Sequence, residues 1–264
     1  RRSADGAKAG AGDATALAAA TAVLGDRREW LPTFRRYEHS EVPRLVVIPT
    51  WQCELRCRYC YIPKQDGRVM DLRTLERSID LLLSSRRERL MLQFFGGEPL
   101  MERELIRHGM DYGVEQAQRL GKDLRFVLSS NGWSLDEETL GWLSGYPVKL
   151  ELSLDGDPAT QRRFRPSLIK GRDSYAEGIA TRRQAILASG LPYDVIMVVH
   201  PAGVEQMPEN FFHIASLGFE RVQINFALGV LWDEEKKRAF ARGLHEIGQR
   251  LRQRWAEGEA LSMI

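Results

Sequence analysis

Cysteine is scarce in this 264-residue chain: there are three, all between Cys53 and Cys60. Thiols crowded into one loop cannot build a disulfide framework, so a reducing, cytoplasmic compartment is expected. Long apolar runs are missing as well. No stretch of about eighteen apolar residues occurs, so no transmembrane helix and no membrane partner are expected. An excess of one charge is also missing, since 38 Lys and Arg stand against 36 Asp and Glu. That near balance gives no basis for bulk nucleic-acid binding. The arginine-dense stretches, Arg27-Arg28, Arg35-Arg36 and Arg86-Arg87, have carboxylates nearby and read as solvated faces. Nor does the chain begin with Met. Arg1-Arg2 ahead of Ala14 to Leu24 only loosely imitates a twin-arginine signal, because the apolar part is mostly alanine and charges follow it. Residues 1–42 are expected to be a leader, partly helical or flexible.

What is present suits one large α/β domain. Hydrophobic residues make up 43% of the chain and charged ones 28%, ordinary for a globular protein of a size that can bury a substantial core. Apolar β-branched runs predict strands at Leu45–Pro49, Leu90–Phe95, Arg125–Ser129, Lys149–Leu154, Asp194–Val199 and Arg221–Asn225. Helical spacing predicts helices over Asp71–Ser85, Glu102–Leu120, Asp136–Leu143, Ser174–Ala188, Pro208–Leu217 and Asp233–Trp255. Leu72, Leu75, Ile79, Leu82 and Leu83 share a face of the first helix. Phe240, Leu244, Ile247, Leu251 and Trp255 share a face of the last, and Trp142 and Trp232 are expected to pack. Strand–helix alternation implies a parallel sheet. Six such units fall short of a closed eight-stranded barrel and predict a partial (β/α)6 barrel over residues 43–258, with 259–264 as a tail.

The three cysteines are spaced C-x3-C-x2-C. Three thiolates can close on one metal centre and leave a position unfilled, and a [4Fe–4S] cluster normally takes four. An open position on a metal is what substrate chemistry needs. A structural zinc site would need a fourth ligand, and His39 would have to serve. A thioredoxin-like site would leave Cys53 without a role.

In parallel α/β folds ligands sit at the carboxyl ends of strands. Each polar or glycine-rich segment here begins where a predicted strand ends. The cysteine loop follows the first strand, Gly96-Gly97-Glu98-Pro99 the second and Ser130-Asn131-Gly132 the third, while Ser153-Leu154-Asp155-Gly156 closes the fourth. His200 and Asn225 end the fifth and sixth. Glycines allow backbone to approach a ligand, and Glu98 can accept a charge-assisted bond from an ammonium. Ser153 and Asp155 alternate, which predicts that both face the barrel interior. Polar groups there are costly unless they bind something. Asn-Gly is also a common turn, and a lone histidine at a loop start is more often structural, so His200 receives no catalytic role.

Taken together, C-x3-C-x-Y-C-Y, GGEP, SNG, LSLDG and a later FR resemble the radical S-adenosylmethionine (SAM) superfamily, in its branch of anaerobic sulfatase maturases and peptide maturases. The resemblance covers nearly the whole predicted barrel. It implies a [4Fe–4S] cluster on Cys53, Cys57 and Cys60, with Tyr59 as the aromatic before the last cysteine. SAM would chelate the open iron, and the C5′–S bond would break to a 5′-deoxyadenosyl radical. The resemblance also implies SAM contacts from Gly96, Gly97, Glu98 and Pro99, from Ser130 and Asn131, from Ser153 and Asp155, and from Arg165, with Arg162 and Arg163 as alternatives, to the methionine carboxylate.

One departure bears on the reaction. Most members of that branch carry a cysteine-rich extension for auxiliary clusters, and no cysteine follows Cys60 here. Either further chain follows or one cluster suffices. With one cluster no spare thiol returns a hydrogen atom, which leaves cross-linking or oxidation over cysteine-dependent epimerisation. The expectation is an enzyme that modifies a peptide or protein side chain, fed by a low-potential donor such as flavodoxin or ferredoxin. The alternatives are a radical SAM enzyme acting on a small metabolite or nucleotide, and a zinc-stabilised binding protein.

Overall fold

Four aspartates set where helices begin. Asp71, Asp136, Asp157 and Asp233 each sit in extended backbone and accept a bond from the N–H three residues on, at Thr74, Thr139, Thr160 and Lys236. Each satisfies a donor that the first helical turn leaves open. The computed structural model describes residues 42–62, 67–258 and 260–263. One compact unit begins at Val42. Residues 1–41, and with them His39 and almost all of the expected leader, lie outside the described residues.

The described elements run in chain order. They are β1 (Arg44–Val47), α1 (Leu72–Leu83), β2 (Arg89–Phe94), α2 (Arg103–Arg119), β3 (Asp123–Ser130), α3 (Glu137–Leu143) and β4 (Val148–Ser153). Then come α4 (Pro158–Phe164), α5 (Ile179–Ala188), β5 (Tyr193–Val199), α6 (Met207–Ser216), β6 (Arg221–Phe226), α7 (Glu234–Ala256) and β7 (Ser262–Met263). Short 3-10 helices precede α2 and α6. All seven strands pair in parallel, in the order β1 to β7. Such a sequentially wound, open parallel sheet is the expected partial barrel, extended by β7.

Alternation along the strands divides the sheet into two faces. Leu92 and Phe94 of β2, Phe126 and Leu128 of β3, Leu150 and Leu152 of β4, and Val195 and Met197 of β5 are buried in the main core. Helix residues Leu75, Ile79, Ile106, Met110 and Phe211 complete that core. The alternate residues on β2 to β4, Gln93, Ser129 and Glu151, bond to one another across the sheet. Gln93 Nε2 donates to Ser129 Oγ at 2.9 Å and to Glu151 Oε2 at 2.7 Å.

The structure corrects several expectations. Helix α5 starts at Ile179 rather than Ser174, because Gly178 precedes it and residues 174–178 form turns. Helix α4 was not foreseen. Beyond Pro158 it has only Ala159 and Phe164 as apolar residues, too few to mark a stripe, although Asp157 followed by Pro158 is a start signal. Leu72 and Trp255 are each 50% exposed instead of packed. Trp255 donates its indole N–H to the Leu261 carbonyl at 2.6 Å, which ties the end of α7 to the approach to β7.

Candidate active site

The cysteine loop leaves β1 and is laid against the chain that follows α4. Arg56 N donates to the Pro166 carbonyl, Arg58 N to the Phe164 carbonyl and Leu168 N to the Glu54 carbonyl, each at 2.8 Å. Leu55 forms an antiparallel bridge with Ser167 and is fully buried. A short two-stranded ladder therefore holds the loop from one side. Cys53, Cys57 and Cys60 are each half-buried.

The glycine-rich turn after β2 holds the loop from the other side. Gly97 N donates to the Thr50 carbonyl at 3.0 Å and Glu98 N to the Gln52 carbonyl at 2.7 Å. A Cβ on Gly97 would fall 1.9 Å from the Gln52 carbonyl oxygen. So Gly97 serves close approach between two protein backbones, and of Gly96-Gly97-Glu98-Pro99 it is Gly96 that lines the cavity described below.

Glu98 is 1% exposed. Its Oε1 accepts from Leu100 N at 3.2 Å and from Ser130 Oγ at 3.0 Å, and its Oε2 accepts from Asn131 N at 2.7 Å. Burial pushes its carboxyl up to about 8, against these three donors, with Glu54 adding to the rise. The Glu98 side chain thus ties the turn after β2 to the Ser130-Asn131 loop after β3. Pro99 is buried at the start of the 3-10 helix that Glu98 caps. Asn131 in turn reaches the cysteine loop, with Nδ2 at 3.1 Å from Glu54 Oε2 and 3.8 Å from Cys53 Sγ.

Asp155 stands beyond the end of β4 and is 1% exposed. Its Oδ2 accepts from the Tyr59 hydroxyl at 2.5 Å, and its Oδ1 takes Val198 N at 2.9 Å and Arg165 Nη2 at 3.0 Å. Arg165 is 6% exposed, with its guanidinium carbon 5.4 Å from the Tyr59 ring centre and Nη1 4.0 Å from Cys57 Sγ. Burial works against the Arg165 charge, but Asp155, Tyr59 and Cys57 together outweigh it and hold the group well above its usual range. Burial also pushes the Tyr59 phenol well up, so it stays a donor to Asp155. Both Asp155 oxygens are on protein donors, and Arg165 Nε is buried without a partner.

A cavity of about 530 Å³ opens at the carboxyl end of the sheet. The cysteine loop gives Cys57, Tyr59, Cys60, Tyr61 and Ile62 to its wall, and the turn after β2 gives Phe95 and Gly96. Ser153, Arg165, Ile196 and Val198 form another side, and Ile224, Asn225, Phe226 and Leu228 the last. The apolar wall from β5 and β6 was not singled out in the sequence, where these residues read as ordinary strand core. His200 takes no part in the wall. It stacks on Phe164 at 4.9 Å, and its Nδ1 accepts from Ala202 N at 3.1 Å, which caps a 3-10 helix.

Among the described residues no three His, Cys, Asp or Glu side chains converge as one metal ion requires. A cubane asks for something different, since each cysteine takes a separate iron and the sulfurs stand apart. Three thiols on one loop, two of them in the wall of a mostly apolar cavity and two with N–H donors aimed at sulfur, fit that group.

Comparison with known proteins gives a consistent picture. A family model described as the radical SAM superfamily matches residues 47–214. An uncharacterised protein of Methanocaldococcus jannaschii is 29% identical over 112 residues, 42% of this chain and 38% of that protein. A PqqA peptide cyclase of Streptomyces rochei is 29% identical over 182 residues, 68% of this chain and 47% of the cyclase. A GTP 3',8-cyclase of Helicobacter pylori is 25% identical over 161 residues, 57% of this chain and 49% of that enzyme. The chain thus spans less than half the length of each of these relatives. The solved structure of native anSMEcpe with bound AdoMet and Cp18Cys peptide superposes with a TM-score of 0.73 at 19% identity, over 83% of this chain and 62% of that one. That likeness is one of fold.

Proposed function

The chain belongs to the radical SAM superfamily, an enzyme family whose cofactors are a [4Fe–4S] cluster and S-adenosylmethionine, and from that premise we propose that it modifies a side chain of a peptide or protein. Cys53, Cys57 and Cys60 would hold the cluster. Bound there, the cluster and SAM together would supply one-electron chemistry able to attack an unactivated C–H bond. The chain's own residues bind, orient and exclude water, as cofactor enzymes generally do. Arg165 lines the cavity as a candidate partner for a carboxylate, while Asp155 and Tyr59 fix the plane of its guanidinium. Ser153 and the Gly96 backbone present further polar groups in the wall. Ile196, Val198, Ile224 and Phe226 keep the rest of the chamber apolar.

The observation that carries the peptide reading is the form of this chamber: open, wide and mostly apolar, with the paired Arg165 as the one charged group in its wall among the described residues. A nucleotide or another phosphorylated metabolite would call for free cations. The relative named as a peptide cyclase also matches over 68% of this chain. The relative named as a GTP cyclase favours the second reading, a small-molecule substrate. Electrons would come from a low-potential donor of the flavodoxin or ferredoxin kind. The modification would be a cross-link or an oxidation. The zinc-stabilised binding protein is set aside by membership of an enzyme family.

The test is mass spectrometry of 5′-deoxyadenosine formed from reductant, SAM and candidate substrates deuterated at carbon. Deuterium carried into the nucleoside from a peptide supports the proposal. Transfer from GTP or another small molecule, with none from any peptide, overturns it in favour of the second reading.

A further inference from the structure

Two side chains from different parts of the sheet aim N–H groups at the thiols. Asn131 comes from the end of β3 and is 5% exposed. Its Oδ1 accepts from Trp133 N at 2.9 Å and its backbone N–H is held by Glu98, so the amide has one orientation. A flip would set NH2 against an N–H. In that orientation Nδ2, which also reaches Glu54 Oε2 at 3.1 Å, lies 3.8 Å from Cys53 Sγ. Arg165 comes from the chain after α4, and its Nη1 lies 4.0 Å from Cys57 Sγ. Asp155 grips the other arm of the guanidinium, and the loop is bonded to the carbonyls of Phe164 and Pro166 on either side of Arg165. Neither donor can drift from its sulfur without breaking those bonds.

We propose that Asn131 and Arg165 are positioning residues that raise the reduction potential of the cluster held by Cys53, Cys57 and Cys60; this rests on the radical SAM reading above. Reduction adds negative charge to the sulfur cage. N–H donors on the ligand sulfurs stabilise that charge, and hydrogen bonds to sulfur are among the factors that set cluster potentials. A buried site strengthens each such bond. Asp155 does not cancel the effect, because it lies on Nη2 while the Nη1 arm points at Cys57. These residues would therefore help a weak physiological donor to reduce the cluster, in addition to holding the loop in shape.

The test is an anaerobic redox titration of the reconstituted chain, followed by electron paramagnetic resonance without SAM. Wild type is compared with Asn131→Ala, Asn131→Asp and Arg165→Lys at equal cluster content. Asn131→Ala removes the donor, and Asn131→Asp keeps the bond to Trp133 N and turns a carboxylate toward Cys53. The potential is expected to fall in the order wild type, Asn131→Ala, Asn131→Asp. At a fixed applied potential, Asn131→Asp should lower the reduced-to-oxidised ratio about tenfold or more, which is ~59 mV for one electron. Arg165→Lys should give a smaller fall, since one ammonium cannot serve Asp155 and Cys57 as a fork does. Wild-type potentials in Asn131→Asp and Arg165→Lys, with clusters intact, overturn the proposal and leave both residues as loop supports. A wild-type chain that takes up no [4Fe–4S] cluster fails at the functional reading and takes this proposal with it.

Discussion

A Cβ on Gly97 would lie 1.9 Å from the carbonyl oxygen of Gln52, so the turn after β2 and the loop that carries the cysteines are in direct backbone contact. This packing ties two motifs, separated by more than thirty residues, into one unit.

Gly97→Ala is accordingly expected to push the cysteine loop out of place. Overpacking of this kind costs about 1–3 kcal/mol, and a carbonyl cannot swing aside as a flexible side chain does. A lower melting temperature and poorer iron uptake should follow. Gly141→Ala in α3 is the control, because a Cβ there meets nothing within 4 Å. It should be neutral or stabilising by roughly 0.5–1 kcal/mol. Equal melting temperatures for Gly97→Ala and wild type would contradict the packing argument.

Anaerobic reconstitution should load about four irons and four sulfides per chain as one [4Fe–4S] cluster. Alanine at Cys53, Cys57 or Cys60 should abolish it, as measured by iron and sulfide analysis and the visible absorption band. Stoichiometric zinc in place of iron would contradict this assignment.

Glu98 predicts a pH dependence of folding. Its carboxyl rises from 4.5 to about 8 in the folded chain, mainly through burial. Between those values the native state binds a proton that the unfolded state has released, so stability falls as pH rises. The contribution is full below about 4.5 and gone above about 8. Urea unfolding of the cluster-free protein across this range should show a downward slope, and Glu98→Gln should lack its share of it. The variant should also be less stable at low pH. An amide can accept bonds on one oxygen only, whereas Glu98 accepts on both. Superimposable pH profiles would refute the buried-acid account.

Asp155→Asn should be strongly destabilising. The Arg165 and Asp155 side chains are 7% and 0% exposed, and removing one charge leaves the other buried without a counter-charge. Breaking such a pair costs about 3–5 kcal/mol. A double variant, Asp155→Asn with Arg165→Gln, should recover part of the loss in chemical denaturation. If the double variant is worse than the sum of the single ones, the two side chains do not act as a pair.

Much of this protein could be read from the order of its residues. The cysteine spacing, the GGEP turn and the alternation of strands with helices each depend on local spacing, and local spacing is what a sequence records. The six foreseen strands formed within a residue or two of their expected ends, and three of the helix starts fell on the aspartates that cap them. What each polar side chain does could not be read in that way. Alternation indicated that Asp155 and Ser153 share a face, but register and loop path decide what lies opposite. Val198 N, Tyr59 and Arg165, which are 43, 96 and 10 positions away in the chain, fill the Asp155 carboxylate. Glu98 likewise stands 33 residues from Asn131, yet the parallel pairing of β2 with β3 brings the two loops together. The apolar wall from β5 and β6 was hidden for the same reason. Ile196 and Val198 look like any strand core until the open curl of the sheet turns their face toward a cavity. Local chemistry named the residues, and long-range pairing decided which of them line the cavity and which hold the others in place.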